Sequence, residues 1–277
     1  MMTGILRRKL TNGLMMLSMM AATITVLVPL GLIFFYILKM GVSSINLDLF
    51  TQIPKPPGEV GGGMANGIVG SGLLIGVASL IGLPVGIFGA VYLSEYGASR
   101  ISTAIRFSAD VLSGVPSIIT GMVVYGLVVV PMKGFSALAG SLALALIMIP
   151  IVLRTTEEQL KMVPMTLREA SLALGVPLWR TTLKVTLTSA LKGIVTGVLL
   201  AVARVAGETA PLLFTALGNM FWSHKLNEPI AALPLQIFNF AISPYDDWHR
   251  LAWGGALVLV TLMFSLSLLA RWFGRTR

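Results

Sequence analysis

Long apolar runs separated by short polar, basic stretches make up this chain. A helix crossing the hydrocarbon core of a bilayer needs about 20 consecutive apolar residues. Runs of that kind lie at about residues 14–38, 67–93, 111–131, 135–153, 191–217 and 251–272. They predict six transmembrane helices, the third preceded by a polar, amphipathic lead-in. The expected fold is an all-α integral membrane bundle. Arg7, Arg8 and Lys9 before the first run resemble the start of a signal peptide. That run is longer than a signal core of about 7–15 residues, and no small-residue cleavage site follows it, so it reads as a retained first helix.

Between the runs, the basic residues are unevenly shared. Arg7, Arg8, Lys9, Arg100, Arg106, Arg154, Lys161, Arg168, Arg180, Lys184, Lys192, Arg271, Arg275 and Arg277 fall on one side. Only Lys39, Lys55, Lys133, Lys225 and Arg250 fall on the other. The positive-inside rule then places both termini in the cytoplasm, as an even number of spans requires. Residues 1–65 read as a first helix and outer loop, and residues 66–277 as the core, with a cytoplasmic loop at 154–190. The first outer loop should be irregular, given Pro54, Pro56, Pro57 and Gly61-Gly62-Gly63. Gly72/Gly76, Gly82/Gly86 and Gly193/Gly197 have the small-xxx-small spacing of close helix packing.

Composition agrees with a lipid setting. The chain is 56% hydrophobic and 11% charged, against about 25% charged in soluble domains. With no cysteine, thiol catalysis, disulfides and cysteine-type zinc sites are excluded. His224 and His249 are the only histidines, which argues against a metal centre. The net charge of +9 fits basic cytoplasmic loops under the positive-inside rule rather than a nucleic-acid partner. No Gly-Lys pair occurs, so the chain has no P-loop and binds no ATP that way.

The loop at 154–190 is not loop-like. Thr155 to Leu160 reads as a polar continuation of the fourth helix, broken by Pro164. Thr166 and Glu169 have capping-box spacing, so a short helix should start with Thr166 as N-cap. Gly175 should end it in a left-handed conformation, and Pro177 prevents its resumption. Leu167, Ala170, Leu174 and Leu178 share one face. That face could lie on lipid, pack on its own bundle, or dock on a partner.

The residues here resemble a known signature. Glu169-Ala170-Ser171, then Gly175 after three residues, then Val185-Thr186-Leu187, is similar to the EAA motif of ABC importer permeases. Ser171 stands where the motif has a second Ala, Val185 where it has Ile, and Thr188 where it has Pro. In that family this helix docks in a groove of a cytoplasmic ATPase. The resemblance therefore implies that Glu169, Ala170, Ser171 and Gly175 form an ATPase-coupling helix.

Arg204 and Glu208 lie inside the fifth run. A charged side chain at a bilayer centre costs about 2.5–3.5 kcal/mol on insertion scales. Four residues apart, the two would share a helix face and could form a structural pair. Alternatively they line a translocation path, where the planar fork of arginine suits an oxyanion. Arg154, at the end of the fourth run, reads by position as an interfacial cation. Gly114-Val115-Pro116-Ser117 reads as a kink, or as a broken helix exposing backbone donors.

The segment from Arg204 through Gly207-Glu208-Thr209-Ala210-Pro211-Leu212-Leu213 is similar to a segment of the membrane subunits of phosphate-specific ABC importers. Val111-Leu112-Ser113-Gly114-Val115-Pro116-Ser117-Ile118 and Leu153-Arg154-Thr155-Thr156-Glu157 match the same family in order. This resemblance implies the type I importer permease fold and the import of inorganic phosphate across a bacterial inner membrane. It implies a second related permease, two copies of a cytoplasmic ATPase that uses ATP, and an outer phosphate-binding protein. It also places Arg154, Arg204 and Glu208 on the substrate path, among helices three, four and five. The alternatives are the same machine for tungstate, molybdate or sulfate, or a secondary transporter that needs no ATP. A membrane enzyme finds no convergent nucleophile or metal set to support it.

Overall fold

The computed structural model describes residues 2–97 and 99–275. Arg277 of the expected basic tail lies outside them. The chain is almost wholly helical. α1 (Met2–Val42) leads through the short α2 (Leu47–Thr51) to α3 (Ala65–Glu95). α4 (Arg100–Gly114) precedes α5 (Ser117–Val124), which runs on through a π-helical turn, Tyr125–Val129, into α6 (Val130–Met132). α7 (Ala137–Lys161) leads to α8 (Met165–Ala173) and α9 (Leu178–Thr181). A second π-helical turn, Thr182–Thr186, joins α9 to α10 (Leu187–Ala206). α11 (Ala210–Leu213), α12 (Leu233–Ala241) and α13 (Asp246–Arg275) complete the order.

Among the described residues, five helices are long and apolar enough to cross a membrane. The pair Arg100–Gly114 and Ser117–Met132, bent by 107°, makes a sixth if counted as one span. The expected count of six therefore holds with the third span broken. Pro116 has no N–H and the residue before a proline disfavours helix, so the amphipathic α4 stops and the crossing segment begins at Ser117. The segment 114–117 is a break, not a kink.

α7 is the centre of the bundle. α3 packs on one side of it, with Gly82 against Met148, Gly86 against Val152 and Gly89 against Leu153. α10 packs on another, with Gly193 against Gln159 and Gly197 against Thr155. Leu74, Ala78, Leu144, Met148, Val152, Ala201 and Val205 form the main core. Lipid offers no hydrophobic drive for helix association, so this dense packing of small residues supplies it. A Cβ added at Gly72 or Gly76, of the same spacing, would meet no other element within 4 Å among the described residues. α1 stays outside the bundle: it touches α13 through Gly41 against Leu257 and a Tyr36–Trp253 ring contact of 5.9 Å.

The first outer loop carries more order than its glycines and prolines predict. Asn46 caps α2 by accepting from the Leu49 N–H at 2.9 Å. At the same end of the bundle, the Asn66 amide donates to the Asn219 and Met220 carbonyls and its oxygen accepts from Gln236 at 3.1 Å.

The fifth run is not one helix to residue 217. α10 stops at Ala206, and the chain turns through Gly207–Thr209 into α11. Pro211 explains the break: a helix carried through it would lose a hydrogen bond and press the ring on the carbonyl of Gly207. The apolar residues beyond the break are buried in protein, with Leu212 and Ala216 in the core and Pro211 against Gly121 of α5. Irregular backbone at such depth is tolerated where protein covers it.

Candidate translocation path and ATPase dock

Arg204 occupies the last turn of α10 and is exposed in this chain. Glu208 lies beyond the helix end, partly buried beside Ser71, Leu74 and Ile75 of α3. The two are not on one helix, so helical spacing does not pair them. Among the described residues neither has an ion-pair partner. The Gly207 and Glu208 N–H groups turn back to the Arg204 and Val205 carbonyls at 3.2 and 3.1 Å. The result is a guanidinium without an ion pair among the described residues, on the apolar C-terminal half of α10 beside a backbone break.

Arg154 sits elsewhere. α10 runs antiparallel to α7, with Gly193 level with Gln159 and Gly197 level with Thr155. Arg204 is thus level with the region near Met148, about 9 Å along α7 from Arg154 at 1.5 Å per residue. The two arginines stand in series along the axis rather than together. Arg154 belongs to a charge cluster between α4 and α7. Its Nε donates to Asp110 Oδ1 at 3.0 Å, and its Nη1 lies 3.4 Å from Glu157 Oε2. Arg106 of α4 donates from Nε to Glu157 Oε1 at 2.8 Å, and Lys161 reaches the same oxygen at 2.7 Å. Arg106 also closes the end of α3 by donating to the Leu93 and Gly97 carbonyls, each at 3.0 Å. Glu157, 1% exposed, is the buried hub of this network.

α8 begins one residue after Pro164, not at a Thr166 cap. Pro164 is itself the N-cap residue, and no side chain caps the helix. The same proline ends one helix and, with its extended ψ of 135°, points the chain into the next. The other end follows expectation. Gly175 has φ +76°, its N–H reaches the Leu172 carbonyl at 2.9 Å, and the Val176 N–H reaches the Ser171 carbonyl at 3.3 Å. This is a Schellman closure. Ser171 Oγ also meets Thr181 Oγ1 at 2.9 Å, tying α8 to α9.

No residue of α8 is buried. Glu169 and Ala170 are exposed, as are Leu167, Leu174 and Leu178 of the apolar face. Among the described residues nothing covers that face. What fixes the helix is Arg168, which donates from Nη1 to Glu95 at the end of α3 at 2.8 Å and from Nη2 to the Leu160 carbonyl at 3.0 Å.

The family model described as "Binding-protein-dependent transport system inner membrane component" matches residues 82–277. The chain belongs to this family. Its matched part holds α4 to α13, and with them Arg154, Arg204, Glu208 and the exposed α8. Among similar proteins is the phosphate transport system permease protein PstA of Yersinia pestis, 49% identical over 95% of this chain and 90% of that one. The PstA protein of Pasteurella multocida is 45% identical over 96% of this chain and 95% of its own length. Among solved structures, an inward-facing MetNI methionine ABC transporter aligns with a TM-score of 0.58 at 18% identity, over 77% of this chain and 98% of that one. An amino acid ABC transporter with histidines aligns at 0.57 and 19% identity, over 76% and 92%. These two likenesses carry the fold, that of the type I importer permeases.

In this inner membrane component, sequence reasoning missed Arg106, Asp110, Glu157, Glu95 and the anchoring role of Arg168. A signal was available. Glu157 lies three residues from Arg154 and four from Lys161, the spacings at which helix neighbours meet. An acid so placed in a chain with 11 acidic residues against 20 basic ones marks a node. The links to α3 and α4 were not legible, because they join segments far apart in sequence.

Proposed function

We propose that this chain is a permease subunit of an ATP-driven ABC importer that carries inorganic phosphate across the bacterial inner membrane. The observation that carries the reading is the near full-length likeness, at 45–49% identity, to permeases named for phosphate transport. Its family is one of binding-protein-dependent importers, which sets aside a transporter that works alone. The finer parts of the reading are these. Both termini face the cytoplasm, supported by the basic loops. Residues 66–277 form the transporting core, and 1–65 form an added helix and outer loop. A second, related permease completes the path. Two copies of an ATPase hydrolyse ATP, a binding protein delivers the anion, and this chain itself holds no cofactor and performs no hydrolysis.

Arg204 is assigned to meet the phosphate at mid-path, because its fork is exposed and has no countercharge among the described residues. Glu208 tempers the attraction from beyond the break, since a transport site must be left as well as entered. Arg154 forms the next station toward the basic end. Glu169, Ala170, Ser171 and Gly175 present the coupling helix to the ATPase, supported by the uncovered face of α8.

The test is reconstitution of the chain with its partner permease, ATPase and binding protein, followed by uptake of radiolabelled phosphate. Uptake that needs ATP and resists excess sulfate is expected. ATP-driven uptake of sulfate, molybdate or tungstate in place of phosphate would keep the machine and overturn the substrate.

A further inference from the structure

Arg106 and Asp110 are four residues apart on α4, and Arg154 and Glu157 three apart on α7. They pair crosswise: Arg106 with Glu157 and Arg154 with Asp110. The two pairs differ in what holds them. Arg106 has every arm of its guanidinium engaged, on Glu157 and on two carbonyls that end α3. Glu157 is buried and also holds Lys161. Opening that pair would strand a buried carboxylate, which is costly. Asp110 is 60% exposed, and among the described residues Arg154 is the only cation it meets. Opening this second pair strands no buried carboxylate, because Asp110 is exposed in this chain.

The released arginine would then be well presented. Asp110 takes Nε at 3.0 Å and also Nη2, the edge by which a guanidinium grips two oxygens of one anion. The remaining contacts of Arg154, Nη1 to Glu157 and Nη2 to the Arg106 carbonyl, are both 3.4 Å and weak. Asp110 also lies one turn before the 107° break between α4 and α5, so a change in that angle would carry it toward or away from Arg154.

We propose that Asp110 is a built-in counter-anion for Arg154: a positioning residue that occupies the guanidinium while the path is empty, gives way to phosphate, and returns to expel it. The inference rests on the phosphate reading above. Its consequence is one-sided. Without the aspartate, Arg154 should hold phosphate longer and release it more slowly toward the ATPase side.

The experiment uses the whole complex in proteoliposomes, with phosphate added on the ATPase side during uptake. Asp110→Asn should lower the phosphate concentration that half-inhibits uptake by about tenfold, the scale of one charge-assisted contact. The maximal rate should fall while the KM for delivered phosphate stays put, and Asp110→Glu should restore both. Asp110→Ser, which removes the carboxylate by shortening the side chain, should behave as Asp110→Asn does. Unchanged half-inhibition in both variants, with wild-type uptake intact, would overturn the inference alone. Loss of the assembled complex in both would also overturn it, by showing a structural brace. Absence of ATP-dependent phosphate uptake in the wild type would instead sink the reading beneath it.

Discussion

Arg168 of α8 and Glu95 at the end of α3 face each other at 2.8 Å, with their side chains only 14% and 9% exposed. This pair joins α8, none of whose residues is buried, to a helix at the wall of the core. A pair so enclosed loses about 3–5 kcal/mol when one partner is removed, since the other charge is left unpaired. Glu95→Gln or Arg168→Gln should therefore loosen α8 without unfolding the spans. ATP-dependent uptake should fall several-fold while the subunit stays in the membrane. The exchange Glu95→Arg with Arg168→Glu should recover part of it. Uptake at wild-type level in both single variants would show that the pair does not steady the dock.

Gly175 carries a φ of +76°, a conformation that costs an ordinary residue about 1–2 kcal/mol. No atom lies within 4 Å of an added Cβ there, so the penalty is one of backbone alone. Gly175→Ala should reduce uptake modestly and weaken co-purification of the ATPase. Gly175→Asp and Glu169→Lys, which alter the proposed docking surface itself, should abolish uptake. Pull-down of the ATPase with each variant, beside uptake, measures this.

Arg204→Gln should eliminate phosphate uptake while the complex assembles in normal yield. Arg204→Lys should retain a small fraction, because an ammonium keeps the charge but loses the two-pronged geometry. Assembly lost in Arg204→Gln would mark the residue as structural. Yield on size-exclusion chromatography and transport rate together separate the two results.

At Gly121 an added Cβ would sit 2.6 Å from the Pro211 Cα, a backbone atom that cannot swing aside. Gly121→Ala should separate α5 from α11, lowering the melting temperature of the purified complex and its uptake. Gly72→Ala, where nothing lies within 4 Å, is the internal control and should change neither by contacts within this chain. Equal melting temperatures for the two variants would refute the close contact.

Hydropathy located the spans well because each must satisfy its backbone alone in lipid, and only a long apolar helix does so. It failed at 207–217 for a related reason. Apolar residues there are covered by protein, and the same hydropathy serves a helix in lipid or a buried turn. Pro211, four residues after Gly207, was the local sign that the helix could not continue. The misplaced start of α8 has a different origin. Thr166 and Glu169 fit a capping box, but Pro164 had already set the backbone, and the helix began before the threonine could cap it. Small-residue spacing was right for Gly82/Gly86 and Gly193/Gly197 and silent for Gly72/Gly76, since spacing reports that a helix can be approached, not by whom. The charged node escaped because its members come from segments 44 and 51 residues apart, and no local pattern encodes such a meeting.

α7 runs unbroken from the core out to Lys161, with Arg154 about 10 Å from that end by helical rise. Under the proposed coupling, a thrust entering at α8 travels up this rod and meets Arg154 before it comes level with Arg204. The two stations would then change state one after the other, as the gates of a canal lock do. Directionality in such a device is a matter of timing along a single continuous helix, and it needs no valve at either mouth.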